Sequence, residues 1–299
     1  MNRLFIISLA LISGLVFVSC SSKEKIVSVN SVVLSESEVV LTTGEKQTLT
    51  AYISPSNATD KTVIWASSNA SIATVSSYGE VTAVALGSAS ISASCDGIIG
   101  ECVINVVACK AIDLGLSVKW ADRNVGANSP VDYGDYFAWG ETTPKSDYSW
   151  ETYKWCSGVS DKLTKYNNDA DLGIVDDKTA LLPSDDAAHE KLGGTWRMPT
   201  WEEMEEMLEE TDWSETTVNG VKGFLVTSLK NRKSIFLPSA GGIEGKNPRY
   251  QKTNIFYWTS EVVPYNTKQA FAYYTDEDGD PDFAMVPRNI GFPIRAVTK

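Results

Sequence analysis

Apolar residues follow two different rhythms along this chain. In the first third they alternate with Ser and Thr in short runs, at residues 26–29, 39–41, 47–53, 63–66, 73–75, 79–83, 89–93 and 103–107. Gly, Asn, Asp and Pro punctuate the runs, and no stretch there has a helical period. Period-two alternation between turn residues marks half-buried strands, and so many short strands in succession predict a sandwich of two sheets. Trp65, on a middle strand, is the expected core aromatic.

Beyond Val107 the rhythm changes. The stretch Gly193-Gly194-Thr195-Trp196-Arg197-Met198-Pro199-Thr200 reads as an extended segment that ends in a helix start. Pro199 biases Met198 toward extended backbone, Thr200 is a good N-cap, and Glu203 stands where a capping-box glutamate belongs. Over 201–210, Trp201, Met204, Met207 and Leu208 share one face and glutamates fill the rest, which predicts an amphipathic helix. A second helix is expected over 184–192. Strands are expected at 116–120, 136–139, 234–237, 255–258 and 270–274, with long Gly-, Asn- and Asp-rich connections at 140–178 and 238–254. Eight of the nine tryptophans, all but Trp65, fall in this part. The expected class is an all-β sandwich followed by an α+β domain.

Composition narrows the function classes. A hydrophobic fraction of 43% over 299 residues is enough for two real cores. A net charge of -12 argues against nucleic-acid binding, whose phosphate contacts need clustered Lys and Arg, and against attraction to anionic lipid head groups. Five cysteines and one histidine leave little for a thiolate–imidazole metal site. His189 has no placed nucleophile beside it and reads as a helix-surface residue. Neighbouring carboxylates at 202–210, 185–186 and 176–177 read as solvated faces, and no catalytic set or cofactor site is expected.

The N-terminus carries Arg3, an apolar run over 4–18, then Ser19-Cys20 and a polar stretch. The run is short for a membrane span, which needs about 20 residues, and has the shape of a signal core. It resembles a bacterial lipoprotein signal, in which a small residue precedes a cysteine that is acylated after cleavage; Phe17 replaces the usual Leu of that pattern. The resemblance implies a signal peptide over 1–19, lipid attachment at Cys20 and a polar tether over 20–27. Ser21 is not the aspartate that retains such proteins at the inner membrane, so outer-membrane anchoring and display at the cell surface are expected.

Leu41-Thr42-Thr43-Gly44-Glu45, Pro55-Ser56-Asn57-Ala58-Thr59, Val63-Ile64-Trp65-Ala66-Ser67-Ser68-Asn69, Ile72-Ala73-Thr74-Val75 and Gly79-Glu80-Val81-Thr82-Ala83 together resemble the bacterial Ig-like domain, group 2. That resemblance implies a structural or adhesive surface module over 28–108. Asp113-Leu114-Gly115-Leu116-Ser117-Val118-Lys119-Trp120-Ala121, Tyr136-Phe137-Ala138-Trp139-Gly140-Glu141, Trp196-Arg197-Met198-Pro199-Thr200, Phe236-Leu237-Pro238-Ser239-Ala240-Gly241, Tyr257-Trp258-Thr259-Ser260 and Gly291-Phe292-Pro293-Ile294-Arg295-Ala296-Val297 resemble the Fibrobacter succinogenes major paralogous domain over 110–299. Its motif order is similar to that of C-type-lectin-like folds, which implies a lectin-like head. The oxidative chemistry of the formylglycine-generating branch is not implied, because no cysteine follows Cys156.

The remaining candidates are local. Cys95 and Cys102 flank the turn-rich link 96–101, and a hairpin of that length in an oxidising compartment predicts a disulfide between them, two buried thiols being the alternative. Cys109 and Cys156 are then left to pair with each other or stay free. Asp276, Asp278, Asp280 and Asp282 alternate in a loop whose carboxylates suit calcium, but the strand-like flanks favour a plain hairpin turn. Trp139, Trp150, Tyr153 and Trp155, in or beside the long connection, are either core or a sugar-stacking platform. The functional expectation is a non-enzymatic adhesion module that binds a glycan or a surface protein and meets the membrane only through its lipid. A glycan hydrolase and a structural component of a surface assembly are the alternatives.

Overall fold

The computed structural model of the chain describes residues 25–275 and 279–299. Cys20, where lipid attachment was expected, lies outside the described residues, as do Asp276 and Asp278. Hydrophobic clusters that share no residue divide the chain between Val106 and Cys109.

The first unit is a β-sandwich. One sheet runs in the order Glu38–Thr42, Ile98–Val107, Gly87–Cys95, Ile64–Ser67, its first two strands parallel. It shares a core with the pair Ser31–Leu34 and Ala51–Ser54 and with the sheet of Lys46–Thr48, Glu80–Ala83 and Ala73–Val75. The alternation read from sequence is the burial pattern: Ala89, Ile91, Ala93 and Cys95 point inward, as do Cys102, Ile104 and Val106. Trp65 is partly buried against this core, and Gly79 lies under its ring. A Cβ on Gly79 would stand 2.8 Å from the indole and 2.5 Å from the Leu49 carbonyl oxygen, at a φ of +82.

Two expected strands differ. Residues 26–29 form none, and the first strand begins at Ser31. The run 47–53 is two strands, because the chain changes sheets at Leu49: Lys46–Thr48 pairs with Glu80–Thr82, then Ala51–Ser54 pairs with Ser31–Leu34.

The second unit holds two α-helices, α1 (Ala187–Leu192) and α2 (Trp201–Glu209), among small sheets and long irregular connections. Strands Ala111–Ile112, Lys119–Ala121 and Val297–Thr298 close one sheet, so the two ends of the unit meet. Thr211–Val218, Val221–Ser228 and Ser234–Pro238 form a meander, the first hairpin of which the sequence reading did not anticipate. Phe256–Val262, Gln269–Thr275 and Pro281–Pro287 form a third sheet. Residues 136–139 contribute one bridge, Phe137 to Phe292, and no strand.

The stretch 196–200 ties these parts together. Arg197 exchanges backbone hydrogen bonds with Val297 at 3.0 and 2.9 Å, and the Pro199 carbonyl accepts the Ser260 N–H at 2.8 Å. Thr200 then starts α2 with a complete capping box, and Met204 and Met207 enter the core beside Trp120, Leu237 and Tyr257. Arg295 is wholly buried and crosses three segments: it donates to Asn124 Oδ1 at 3.0 Å, the Ala121 carbonyl at 3.0 Å and the Phe236 carbonyl at 2.8 Å. Neutral acceptors thus replace water around its charge, and burial lowers its pKa from the ordinary value.

Candidate functional site

The aromatics of the long connection are structural. Trp139 and Tyr153 are buried, Trp150 and Trp155 partly so. The Trp139 indole donates to the Thr259 carbonyl at 2.9 Å, the Trp155 indole to the Gly140 carbonyl at 2.6 Å, and the Tyr153 hydroxyl to the Trp139 carbonyl at 2.7 Å. Arg288, buried without exposure, lies 5.0 Å from the Trp139 ring and 5.3 Å from the Tyr153 ring and donates to the carbonyls of Lys165, Tyr166 and Thr267. Cation–π contact and hydrogen bonds to carbonyl acceptors hold Trp139 and Tyr153 in the core, where they present no sugar-stacking face, while Trp150 and Trp155 keep part of their surface exposed.

The expected Cys95–Cys102 disulfide does not form. Both thiols are free and buried, and so is Cys109; Cys156 is free and partly buried. The turn is shorter than the flanking residues suggest: Asp96 and Gly97 both take positive φ, 50 and 79, and the strands resume at once. A two-residue Asp-Gly turn sets Cys95 opposite Ile98 and Cys102 opposite Ile91. The cysteines are therefore about four residues apart along the ladder, roughly 13 Å, far beyond disulfide reach.

His189 is partly buried in α1, with Nδ1 3.2 Å from the Trp196 carbonyl oxygen and its N–H on the Asp186 cap. Of the acidic loop, Asp280 and Asp282 are exposed, and Asp282 Oδ1 accepts the Phe283 N–H of its own strand at 2.7 Å. Among the described residues, no three His, Cys, Asp or Glu side chains gather as a metal site.

A second aromatic row lies around the first turn of α2, partly exposed at Trp201 and Phe283 and backed by the buried Tyr273. Trp201 packs on Phe283 at 5.0 Å, Phe283 on Tyr273 at 5.4 Å and Tyr273 on Trp213 at 5.3 Å. Beside this row a depression of about 410 Å³ is lined by Thr179, Trp201, Glu202, Glu261, Pro264 and Phe271. Trp201 and Phe271 are each partly exposed. One Glu261 oxygen accepts the Trp201 N–H at 2.7 Å, which satisfies an orphan donor at the start of α2. Burial raises the Glu261 pKa, and the charges of Glu202 and Glu203 raise it further. The countercharge Arg197 is engaged by Glu203, at 2.7 Å from Nη1 and 2.5 Å from Nη2. Aromatic walls with a few convergent polar groups and a perturbed carboxyl have the makings of a ligand site. Trp201 and Glu202 were read from sequence only as parts of a helix; the pairing with Glu261, sixty residues on, has no local signal.

A larger cleft of about 660 Å³ lies where the two units meet, walled by Val40, Leu86, Val106, Ile112, Leu192 and Trp196. It follows the linker, and Lys110 on its rim is already paired with Glu45 at 2.7 Å. It is the gap between two packed bodies and presents few polar groups to a ligand.

Residues 28–96 match the bacterial Ig-like domain (group 2). Over 66 residues the chain is 46% identical to the kappa-carrageenase of Pseudoalteromonas carrageenovora, covering 22% of this chain and 17% of that protein. Over 64 residues it is 38% identical to an uncharacterized protein of Clostridium acetobutylicum, covering 21% of this chain and 7% of that one. The chain thus spans less than a fifth of the length of these curated relatives. Among solved structures, domains 4 and 5 of the S-layer protein SbsC are 24% identical over 27% of this chain and 53% of that one, with a TM-score of 0.24. Domains 5–6 of the same protein are 13% identical over 87% and 97%, with a TM-score of 0.25. The matched Ig-like segment falls within the first β-sandwich.

Proposed function

We propose that this chain is a surface lipoprotein whose Ig-like sandwich carries a lectin-like, non-enzymatic head, and that the head binds glycan in the depression at Trp201 and Glu261. That depression carries the reading: rings for the apolar face of a sugar stand beside carboxylates that accept from its hydroxyls. The layout supports it. The chain enters the sandwich beside the Asp96 turn, where the Val29 N–H meets Asp96 Oδ2 at 3.3 Å, and leaves at Val107. The strand Ile98–Val107 joins those two ends, and its ten residues span about 33 Å. The entry of the chain near Val29 and its exit at Val107 therefore lie at opposite ends of the sandwich, as a stalk requires. Several acyl chains on Cys20 anchor firmly, each buried methylene contributing about 0.8 kcal/mol.

The test is a glycan array probed with the chain from Lys25 onward, which contains both cores, beside its Trp201→Ala variant. Saturable binding to one glycan class that the variant loses supports the reading. Silence from a correctly folded chain sinks it and points to a protein partner. Hydrolysis is the second reading, favoured by the raised Glu261 carboxyl sharing the depression with Glu202. Release of new reducing ends from a bound glycan, abolished in Glu261→Gln, would establish it.

A further inference from the structure

Apart from the Thr179 hydroxyl, the polar side chains lining the depression are carboxylates, those of Glu202 and Glu261. Arg197, the cation that acts on Glu261, gives both terminal nitrogens to Glu203. One Glu261 oxygen holds the Trp201 N–H, and the other has no protein partner among the described residues. Trp201 packs on Phe283, ring centroids 5.0 Å apart, which restricts the orientation of its ring. The site therefore offers unmatched negative charge between two aromatic walls. A neutral sugar hydroxyl leaves that charge uncompensated, and a uronate or a sulfate ester is repelled by it.

We propose that the depression selects an amine-bearing sugar, whose protonated primary amine is held by Glu261 and Glu202 while its ring stacks on Trp201 and Phe271. This rests on the reading of the depression as the glycan site. An ammonium makes charge-assisted hydrogen bonds to both carboxylates and is attracted to the indole face. A cavity of about 410 Å³ falls in the range of small-ligand pockets.

Glucosamine oligomers and N-acetylglucosamine oligomers of equal length differ only at the nitrogen. Their affinities for the chain from Lys25 onward are compared by titration calorimetry at several pH values from mildly acidic to neutral, because the amine must be protonated while the Glu261 carboxyl, whose pKa burial raises, must be ionised. The expected result is at least about tenfold tighter binding of the amine form, the effect of one charge-assisted contact, weakening as salt rises. Glu261→Gln keeps an acceptor for the Trp201 N–H, and Glu202→Gln changes an exposed side chain; each is expected to remove most of the preference while melting stays cooperative. Equal affinity for the two oligomers overturns the amine assignment and leaves the glycan reading standing. A lysine peptide that competes as strongly as the amino sugar overturns the sugar assignment. Failure of both oligomers, together with a silent array, overturns the glycan reading itself.

Discussion

Glu261 holds a position that function explains better than stability does. Burial first, and then the negative charges of Glu202 and Glu203, keep its carboxyl above the ordinary value of 4.5. The folded chain therefore binds that proton more tightly than the unfolded chain. Stability falls as pH rises from 4.5 through the folded value, so the ionised carboxyl is the destabilised form. Glu261→Gln is expected to melt at or above the parent temperature at neutral pH, with the difference shrinking toward pH 4.5, while glycan binding weakens. A clear fall in melting temperature would instead assign Glu261 a mainly structural role. The cysteines make a second residue-scale case. Burial raises the thiol pKa of Cys95, Cys102 and Cys156, and that of Cys109 to about 12, so they resist ionisation in the folded chain. Thiol titration of the chain from Lys25, once unfolded, is expected to find all four free. Reductant should not shift its melting temperature, and a shift would revive a bridge.

At the scale of elements, α2 was legible from its sequence because its signals are local. Thr200 accepts the Glu203 N–H at 3.2 Å, and Glu203 accepts the Thr200 N–H at 3.0 Å, so cap, box and buried methionines all lie within one short stretch. Thr200→Ala is expected to cost about 1 kcal/mol in urea unfolding. It should also weaken glycan binding, because Trp201 is the next residue and its orientation depends on that turn. An unchanged midpoint would mean that tertiary contacts alone hold the first turn. Two other elements were equally local and went unread. Asn219-Gly220 adopts φ of 50 and 82 and joins Thr211–Val218 to Val221–Ser228, and Asp96-Gly97 does the same between Gly87–Cys95 and Ile98–Val107. Both are strong short hairpin signals. Recognising the second would have set the register that keeps Cys95 away from Cys102.

For the whole molecule the decisive contact is the junction. Lys110 meets Glu45 at 2.7 Å, and Arg123 donates to the Thr42 hydroxyl at 3.2 Å, so the second unit is docked on the sandwich by polar contacts beside the linker. The ion-paired side chains are 30% and 40% exposed, and such a pair contributes less than about 1 kcal/mol. Lys110→Glu is expected to leave unfolding of both cores unchanged while broadening the distance distribution in small-angle scattering. An unaltered distribution would show that the apolar cleft around Val106, Ile112 and Trp196 sets the angle instead.

The strands of the sandwich and the start of α2 followed from sequence alone. Alternation of Val and Ile with Ser and Thr specifies strands because successive side chains point to opposite faces, and the capping box specifies a helix start because its partners are three residues apart. Tertiary structure decided which aromatics are exposed. Trp139 and Tyr153 look like Trp201 in a sequence, but Arg288 and the carbonyls around it draw the first two inside. It also made the candidate site, since Glu261 reaches Trp201 only because the Ser260 N–H bonds to the Pro199 carbonyl and sets the strand against the helix start. Contacts between segments sixty residues apart depend on how sheets and helix stack, and no local pattern encodes that.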